Sequence, residues 1–186
     1  MRQAGLLFVG GAALALAACA TDRGPTQSAT AVAAPLVPAL TADIRDAGGQ
    51  IRARARVEQA GDSLRVRIEA VAMSPGAYGA HIHAVGRCDP PGFTTAGPHW
   101  NPTGQMHGKD NPKGMHKGDL PNLMVGTDGR GSFEYTIPNA DFVGTDRGNW
   151  LLDADGASVV IHAKADDYRT DPSGNSGDRI ACGVLR

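Results

Sequence analysis

Residues 51–70 read IRARARVEQAGDSLRVRIEA. Ile51, Ala53, Ala55 and Val57 alternate with Arg52, Arg54, Arg56 and Glu58; beyond a turn at Ala60-Gly61-Asp62, Leu64, Val66, Ile68 and Ala70 alternate with Arg65, Arg67 and Glu69. Successive side chains of a strand point to opposite faces, so this period of two predicts a pair of half-buried antiparallel strands with a charged outer face. The β reading starts at Ile51 and continues to the end of the chain. Met124-Val125 and Phe133, Tyr135 and Ile137 flank Asp128-Gly129-Arg130-Gly131, which predicts a hairpin. Val159 to His162 and Ile180 to Leu185 supply the last strands, and no segment of comparable length carries a helical period. Short strands joined by turns predict an all-β protein, a sandwich or flattened barrel of Greek-key type.

Between the strands lies a segment of another character. Residues 79–119 read GAHIHAVGRCDPPGFTTAGPHWNPTGQMHGKDNPKGMHKGD and hold five of the six histidines; the sixth, His162, ends an apolar run. His81 and His83 are two apart, so in an extended strand both imidazoles leave the same face and can reach one metal ion. His99, His107, His116 and Asp119 fall among Gly, Pro, Asn, Lys and Thr with no hydrophobic period, which predicts a long loop. Loops of that length are uncommon in compact domains unless functional or clamped, and a metal is the clamp that these side chains supply. Seven candidate ligands are available, whereas two four-coordinate sites need eight positions. One residue must then bridge, and an imidazole has two ring nitrogens with which to do it.

Here the motifs carry a resemblance. GAHIH at 79–83, GRC at 86–88, AGPHWNP at 96–102, HG at 107–108, HKGDLPN at 116–122, VVIHAKADD at 159–167 and GNSGDRIACGV at 174–184 resemble, in order and spacing, the motifs of the copper/zinc superoxide dismutases. The resemblance runs from about Thr41 to Leu185. It implies a Greek-key, immunoglobulin-like sandwich or flattened barrel with a long metal-binding loop and an electrostatic loop. It also implies disproportionation of superoxide to dioxygen and hydrogen peroxide, with copper and zinc as cofactors. By the same resemblance His81, His83, His99 and His162 are the copper ligands and His99, His107, His116 and Asp119 the zinc ligands, with His99 as the bridge. Arg179 matches the guiding arginine beside copper, and His99 with Arg179 forms the catalytic pair. Asp166 matches the carboxylate that links His81 to His107, with Asp167 as its neighbouring alternative. Two positions depart from the template: Ala80, where an aromatic residue is common, and Asp178. Asp178 directly precedes Arg179 and is expected to weaken its pull on an anion, while Lys109, Lys113 and Lys117 are expected to restore a positive rim.

Cys88 and Cys182 form an even pair in a chain read as exported, which predicts a disulfide tying the metal loop to the last strand. A blue-copper role for Cys182 fails, because only Gly183-Val184-Leu185-Arg186 follow it, with neither His nor Met.

The beginning of the chain reads as an export signal. Arg2 precedes an apolar body from Leu6 to Leu16 and small residues, too short for a membrane span. Leu16-Ala17-Ala18-Cys19 resembles a bacterial lipobox, which implies a lipoprotein signal over 1–18 and a lipid on Cys19. Residues 19–38, rich in Thr, Ala, Ser and Pro, predict a flexible tether, and 39–186 the folded domain. Ala20 after the cysteine favours the outer membrane of a Gram-negative bacterium, with the domain facing the periplasm. With 186 residues, 41% hydrophobic and 20% charged, the chain suits one domain and a tail. A formal charge of -1 gives no surplus for nucleic acid. A monomer and a homodimer are both compatible with this sequence. Two other function classes compete: a copper-delivery protein that kept the fold and lost turnover, which a missing ligand or arginine would favour, and an adhesion sandwich, which gives six histidines no purpose.

Overall fold

The computed structural model describes residues 39–144 and 148–186. The export signal, Cys19 and the tether lie outside the described residues. Nine strands follow in order: β1 (Ala39–Asp46), β2 (Ile51–Ala60), β3 (Ser63–Ala70), β4 (Gly76–Tyr78), β5 (Ala80–His83), β6 (Leu123–Val125), β7 (Gly131–Pro138), β8 (Ser158–His162) and β9 (Arg179–Val184). The helical content among the described residues is one 3-10 turn, Thr94–Ala96.

β2 and β3 pair as the alternation requires, with Ala55 opposite Ile68 and Val57 opposite Val66. Ala53, Ala55, Val57, Leu64, Val66, Ile68 and Ala70 are buried while Arg54, Arg56, Arg65 and Arg67 are exposed. The main sheet runs β5-β8-β9-β1-β2-β3-β7, all antiparallel, and β4 pairs with β6. Since β4 leads through Gly79 straight into β5, and β6 turns into β7, the sheet curls towards closure and its edges are covered. Neighbours in space that are distant in sequence, β5 beside β8 and β1 beside β9, make the connections of Greek-key type.

Two sequence expectations change. The β pattern begins at β1, not at Ile51. There half-buried Leu40 and buried Ala42 and Ile44 turn inward, against exposed Thr41, Asp43 and Arg45, and three positions with an alanine at the centre are too short a signal to mark a strand. The predicted turn after Val125 is present, with Gly126 N–H bonded to the Arg130 carbonyl at 2.8 Å, yet its two arms part. β6 pairs with β4 and β7 with β3, because each arm finds a longer-range partner.

Ile44, Val57, Leu64, Ile68, Ile82, Leu123, Ile137 and Ile161 are fully enclosed or nearly so. Each contributes about 1.5–3 kcal/mol through the apolar surface it removes from water. β5 and β8 are buried on both faces. Ile82, Val159 and Ile161 face the core, while the opposite face, which carries His81, His83 and Val160, is roofed by residues 84–122. That roof is stitched on by main-chain bonds from Ile82 N–H to the Gly118 carbonyl (2.9 Å) and from Trp100 N–H to the Ile82 carbonyl (2.8 Å). A β-carbon on Gly118 would lie 2.2 Å from the Ile82 oxygen, so only glycine permits this approach.

Candidate metal centre

The six histidines and Asp119 converge where β5 and β8 meet the roof. β5 supplies His81 and His83, β8 supplies His162 just after an irregularity in its pairing with β9, and the roof supplies His99, His107, His116 and Asp119. Bridges His81 to Asp119 and His83 to His99 set the roof residues opposite the strand residues.

Each strand histidine uses one ring nitrogen outward and leaves the other inward. His81 Nε2 donates to Asp166 Oδ2 at 2.7 Å, His83 Nδ1 to the Gly97 carbonyl at 2.9 Å, and His162 Nδ1 to the Gly177 carbonyl at 3.0 Å. These bonds fix the tautomers and point lone pairs at one spot. His81 Nδ1, His83 Nε2, His99 Nε2 and His162 Nε2 are all buried with no hydrogen-bond partner. Four inward lone pairs without a donor would be a costly arrangement in a core. They are the donor set of a cation that favours nitrogen, and these four residues place one ligand atom each within 4.8 Å of the others.

The second cluster centres on Asp119 Oδ1, which lies 2.9 Å from His99 Nδ1, 3.0 Å from His107 Nδ1 and 3.2 Å from His116 Nδ1. His116 Nδ1 and His99 Nδ1 are 3.4 Å apart. Zinc bonds of about 2.0–2.1 Å in a tetrahedron require ligand atoms about 3.3 Å from one another, so the spacings suit that ion. His107 Nδ1, although 3.0 Å from the carboxylate, makes no hydrogen bond there, as befits two ligands of a common cation. His81 also brings a nitrogen within 4.8 Å of His99, His107 and Asp119, but its free Nδ1 belongs to the first set and its Nε2 is taken by Asp166. The other oxygen, Asp119 Oδ2, accepts from the N–H groups of Gly108 and His116.

Electrostatics divides the two clusters. Burial pushes the His81 imidazole down to about 3, against the pull of Asp166, and His162 down to about 4. Burial lowers His83 and His99 as well. His107 goes the other way: burial alone would lower it, but Asp119 and Asp166 together raise it to about 9. Asp119 is held well below the carboxylate range, because the three imidazoles of His107, His116 and His99 gathered around it outweigh its burial. One cluster therefore offers neutral lone pairs, and the other a negative charge that a cation balances.

Asp166 joins the clusters, accepting from His81 Nε2 and from His107 Nε2 at 3.0 Å. Its own main chain is held by Asn122, whose Nδ2 donates to the Asp166 carbonyl (2.9 Å) and whose Oδ1 accepts from the Asp166 N–H (2.8 Å). Gly174, at φ +63, passes so close that a β-carbon would meet Asp166 Oδ1 at 1.9 Å. Asp167 turns away and caps its own loop through Arg169, Thr170 and Asn175.

Arg179 stands in the wall of a cleft of about 910 Å³ that also opens on His99, His116 and His162. Its guanidinium donates to the carbonyls of Phe93 and Gly97, both at 2.9 Å. Those carbonyls belong to the segment that the Cys88–Cys182 disulfide fastens to β9, where Phe93, Ala96, Val160 and Cys182 pack together. The expected lysine rim is not found. Lys117 donates to the Pro138 carbonyl, Lys109 pairs with Asp110 over the Tyr168 ring, and none of Lys109, Lys113 and Lys117 lines the cleft. Asp178 is exposed and also outside the lining, whereas Asp153 and Asp171, which sequence reading did not single out, are in it. No spacing marked these two, because only the folded loops bring them to the cleft.

A curled Greek-key sheet carrying two buried ligand clusters that share His99 defines a β-barrel protein built around paired metal sites. A family model described as copper/zinc superoxide dismutase (SODC) matches residues 48–185. The chain is 41% identical over 148 residues to Superoxide dismutase (Cu-Zn) 1 of Aquifex aeolicus, across 78% of this chain and 86% of that one. It is 38% identical over 147 residues to Superoxide dismutase (Cu-Zn) of Caulobacter vibrioides, across 78% and 84%. The crystal structure of a SOD-like protein from Bacillus subtilis superposes with a TM-score of 0.73 at 38% identity, covering 78% of this chain and 97% of that one. The chain belongs to the copper/zinc superoxide dismutase family, which uses copper and zinc.

Proposed function

We propose that this chain disproportionates superoxide, two O2•− and two protons giving dioxygen and hydrogen peroxide. Copper would be held by His81 Nδ1, His83 Nε2, His99 Nε2 and His162 Nε2, and zinc by His99 Nδ1, His107 Nδ1, His116 Nδ1 and Asp119 Oδ1. The observation that carries the reading is the set of four buried, partnerless ring nitrogens converging beside Arg179. Bound copper supplies a one-electron couple, and zinc a fixed charge that does not change oxidation state.

The chain's own groups do the rest. Arg179, pinned by two carbonyls, presents a guanidinium to the cleft and holds the small anion beside the histidines. His99 Nε2, when its lone pair is not given to the metal, would hold a proton and pass it on to the peroxide product. Asp166 keeps His81 and His107 in the tautomers that face the metals. The test is pulse-radiolysis turnover per bound copper in the purified mature domain. Tight copper and zinc binding without turnover would move the reading to a copper-delivery protein.

We further infer that residues 1–18 are removed on export and that Cys19 carries a lipid. The domain then stands on its tether over the periplasmic side of the outer membrane. The apolar body from Leu6 to Leu16, the Leu16-Ala17-Ala18-Cys19 ending and the pairing of the other two cysteines support this. Cys19→Ser should release the protein from the membrane fraction with activity per copper unchanged. Retention in that fraction contradicts the anchor.

A further inference from the structure

Asp171 belongs to neither ligand set, yet it faces two members of one. Its Oδ1 accepts the main-chain N–H of His107 at 2.7 Å and stands 4.0 Å from His116 Nε2. The other outward ring nitrogens already have acceptors: Asp166 for His81 and His107, the Gly97 carbonyl for His83 and the Gly177 carbonyl for His162. The carboxylate facing the outer nitrogen of His116 is that of Asp171. A metal-bound imidazole whose other N–H meets a carboxylate is fixed in tautomer and orientation and becomes a stronger base.

We infer that Asp171 is a positioning residue for zinc, a second carboxylate clamp alongside Asp166. It pins the main chain that presents His107. It also sets a negative charge 4.0 Å from His116 Nε2, which favours the proton on that nitrogen and leaves the His116 lone pair on Nδ1, 3.2 Å from Asp119 Oδ1. A shift of about 1 Å in either group turns the 4.0 Å contact into a charge-assisted hydrogen bond. Asp171 lies between β8 and β9, on the same connection as Asp166, so this connection holds the zinc side at two points, His107 Nε2 through Asp166 and the His107 main-chain N–H through Asp171, whose carboxylate also faces the His116 ring at 4.0 Å. The two grips differ in setting, for Asp166 is enclosed whereas the Asp171 side chain is 39% exposed in the cleft wall. The zinc side therefore has one orienting group that solvent reaches from the cleft that Arg179 lines.

The inference rests on the zinc ligands proposed above, and the experiment separates the two. Zinc affinity of the mature domain is measured by competition with a chromophoric chelator for the parent, Asp171→Ala, Asp171→Asn and Asp119→Ala, and the visible spectrum of Co(II) placed at the zinc site is recorded for each. Asp171→Ala should bind zinc about 10- to 100-fold more weakly, the usual range for loss of such a partner, with a shifted cobalt spectrum and unchanged copper affinity. Asp171→Asn, which can still accept from the His107 N–H, should lose less and shift the spectrum in the same direction; it also serves if the alanine variant fails to fold. Zinc affinity within about 2-fold of the parent and an unaltered cobalt spectrum in both Asp171 variants, while Asp119→Ala loses zinc, would overturn the role of Asp171 alone. Zinc retained by Asp119→Ala would overturn the ligand assignment and this inference with it.

Discussion

Arg179 donates to the carbonyl oxygen of Gly97 at 2.9 Å, and that same oxygen receives the Nδ1 proton of His83. The guanidinium and the His83 imidazole are thus registered against one atom of a disulfide-held segment. Arg179→Ala should lower turnover at least about 10-fold, since it removes a fixed cation beside developing negative charge, and should leave copper content intact. Its dependence on ionic strength should flatten, because an exposed charge acts over about 8–10 Å before salt screens it. Pulse radiolysis across a salt series decides; an undiminished slope would place the guiding charge elsewhere.

The acidic residues of the cleft predict the reverse effect. Asp153 lines the cleft, unlike Asp178, so Asp153→Asn should raise turnover at low salt by up to about 5-fold, the most an exposed charge delivers, and Asp178→Ser should change it less. A larger rise for Asp178→Ser would mean that sequence adjacency to Arg179 matters more than position in the cleft wall.

Removing the disulfide should do more than destabilise. Cys88 and Cys182 are 94 positions apart, and replacing both with Ser should cost about 2–5 kcal/mol of unfolding free energy. Since Phe93 and Gly97 anchor Arg179, turnover per bound copper should fall as well. Lost stability with full specific activity would show that the arginine is held independently of the bridge.

The metal-free domain should lose stability in acid from the copper side. His81 and His162 are lowered from the ordinary 6.5 to about 3 and about 4, so between pH 6.5 and 4 the unfolded chain binds protons that the folded one refuses. Stability is full above pH 6.5 and falls as pH drops through this window, by about 1.4 kcal/mol per pH unit for each such group. His107, raised to about 9, acts oppositely: its contribution is full below 6.5 and fades as pH rises towards 9. Urea unfolding of the metal-free domain as a function of pH should therefore show a maximum near neutrality. Stability that climbs steadily into acid would contradict the buried neutral state of His81 and His162.

What the sequence disclosed follows from where each signal resides. β2 and β3 were legible because charged and apolar residues alternate without a break, and His81 and His83 because a strand sends i and i+2 to one face. β1 was not, since Leu40, Ala42 and Ile44 make its inner face only three positions long, and the partner of β6 was not, since a turn says nothing about long-range pairing. The grouping of ligands could be anticipated from their types and spacing. The residues that hold them could not. Asn122 and Asp171 act through contacts made only after residues 84–122 and 163–178 fold together, Asp153 reaches the cleft only in the folded chain, and Lys109 and Lys117, plausible as a rim in sequence, are drawn off by Asp110 and Pro138.

The central claim, two metals sharing His99, is tested most directly by anomalous diffraction from crystals of the reconstituted mature domain at the copper and zinc edges. Two peaks per chain are expected. The copper peak lies among His81 Nδ1, His83 Nε2, His99 Nε2 and His162 Nε2, and the zinc peak among His99 Nδ1, His107 Nδ1, His116 Nδ1 and Asp119 Oδ1, on either side of one imidazole. A single peak, or copper in the Asp119 cluster with the other four nitrogens bare, would contradict it.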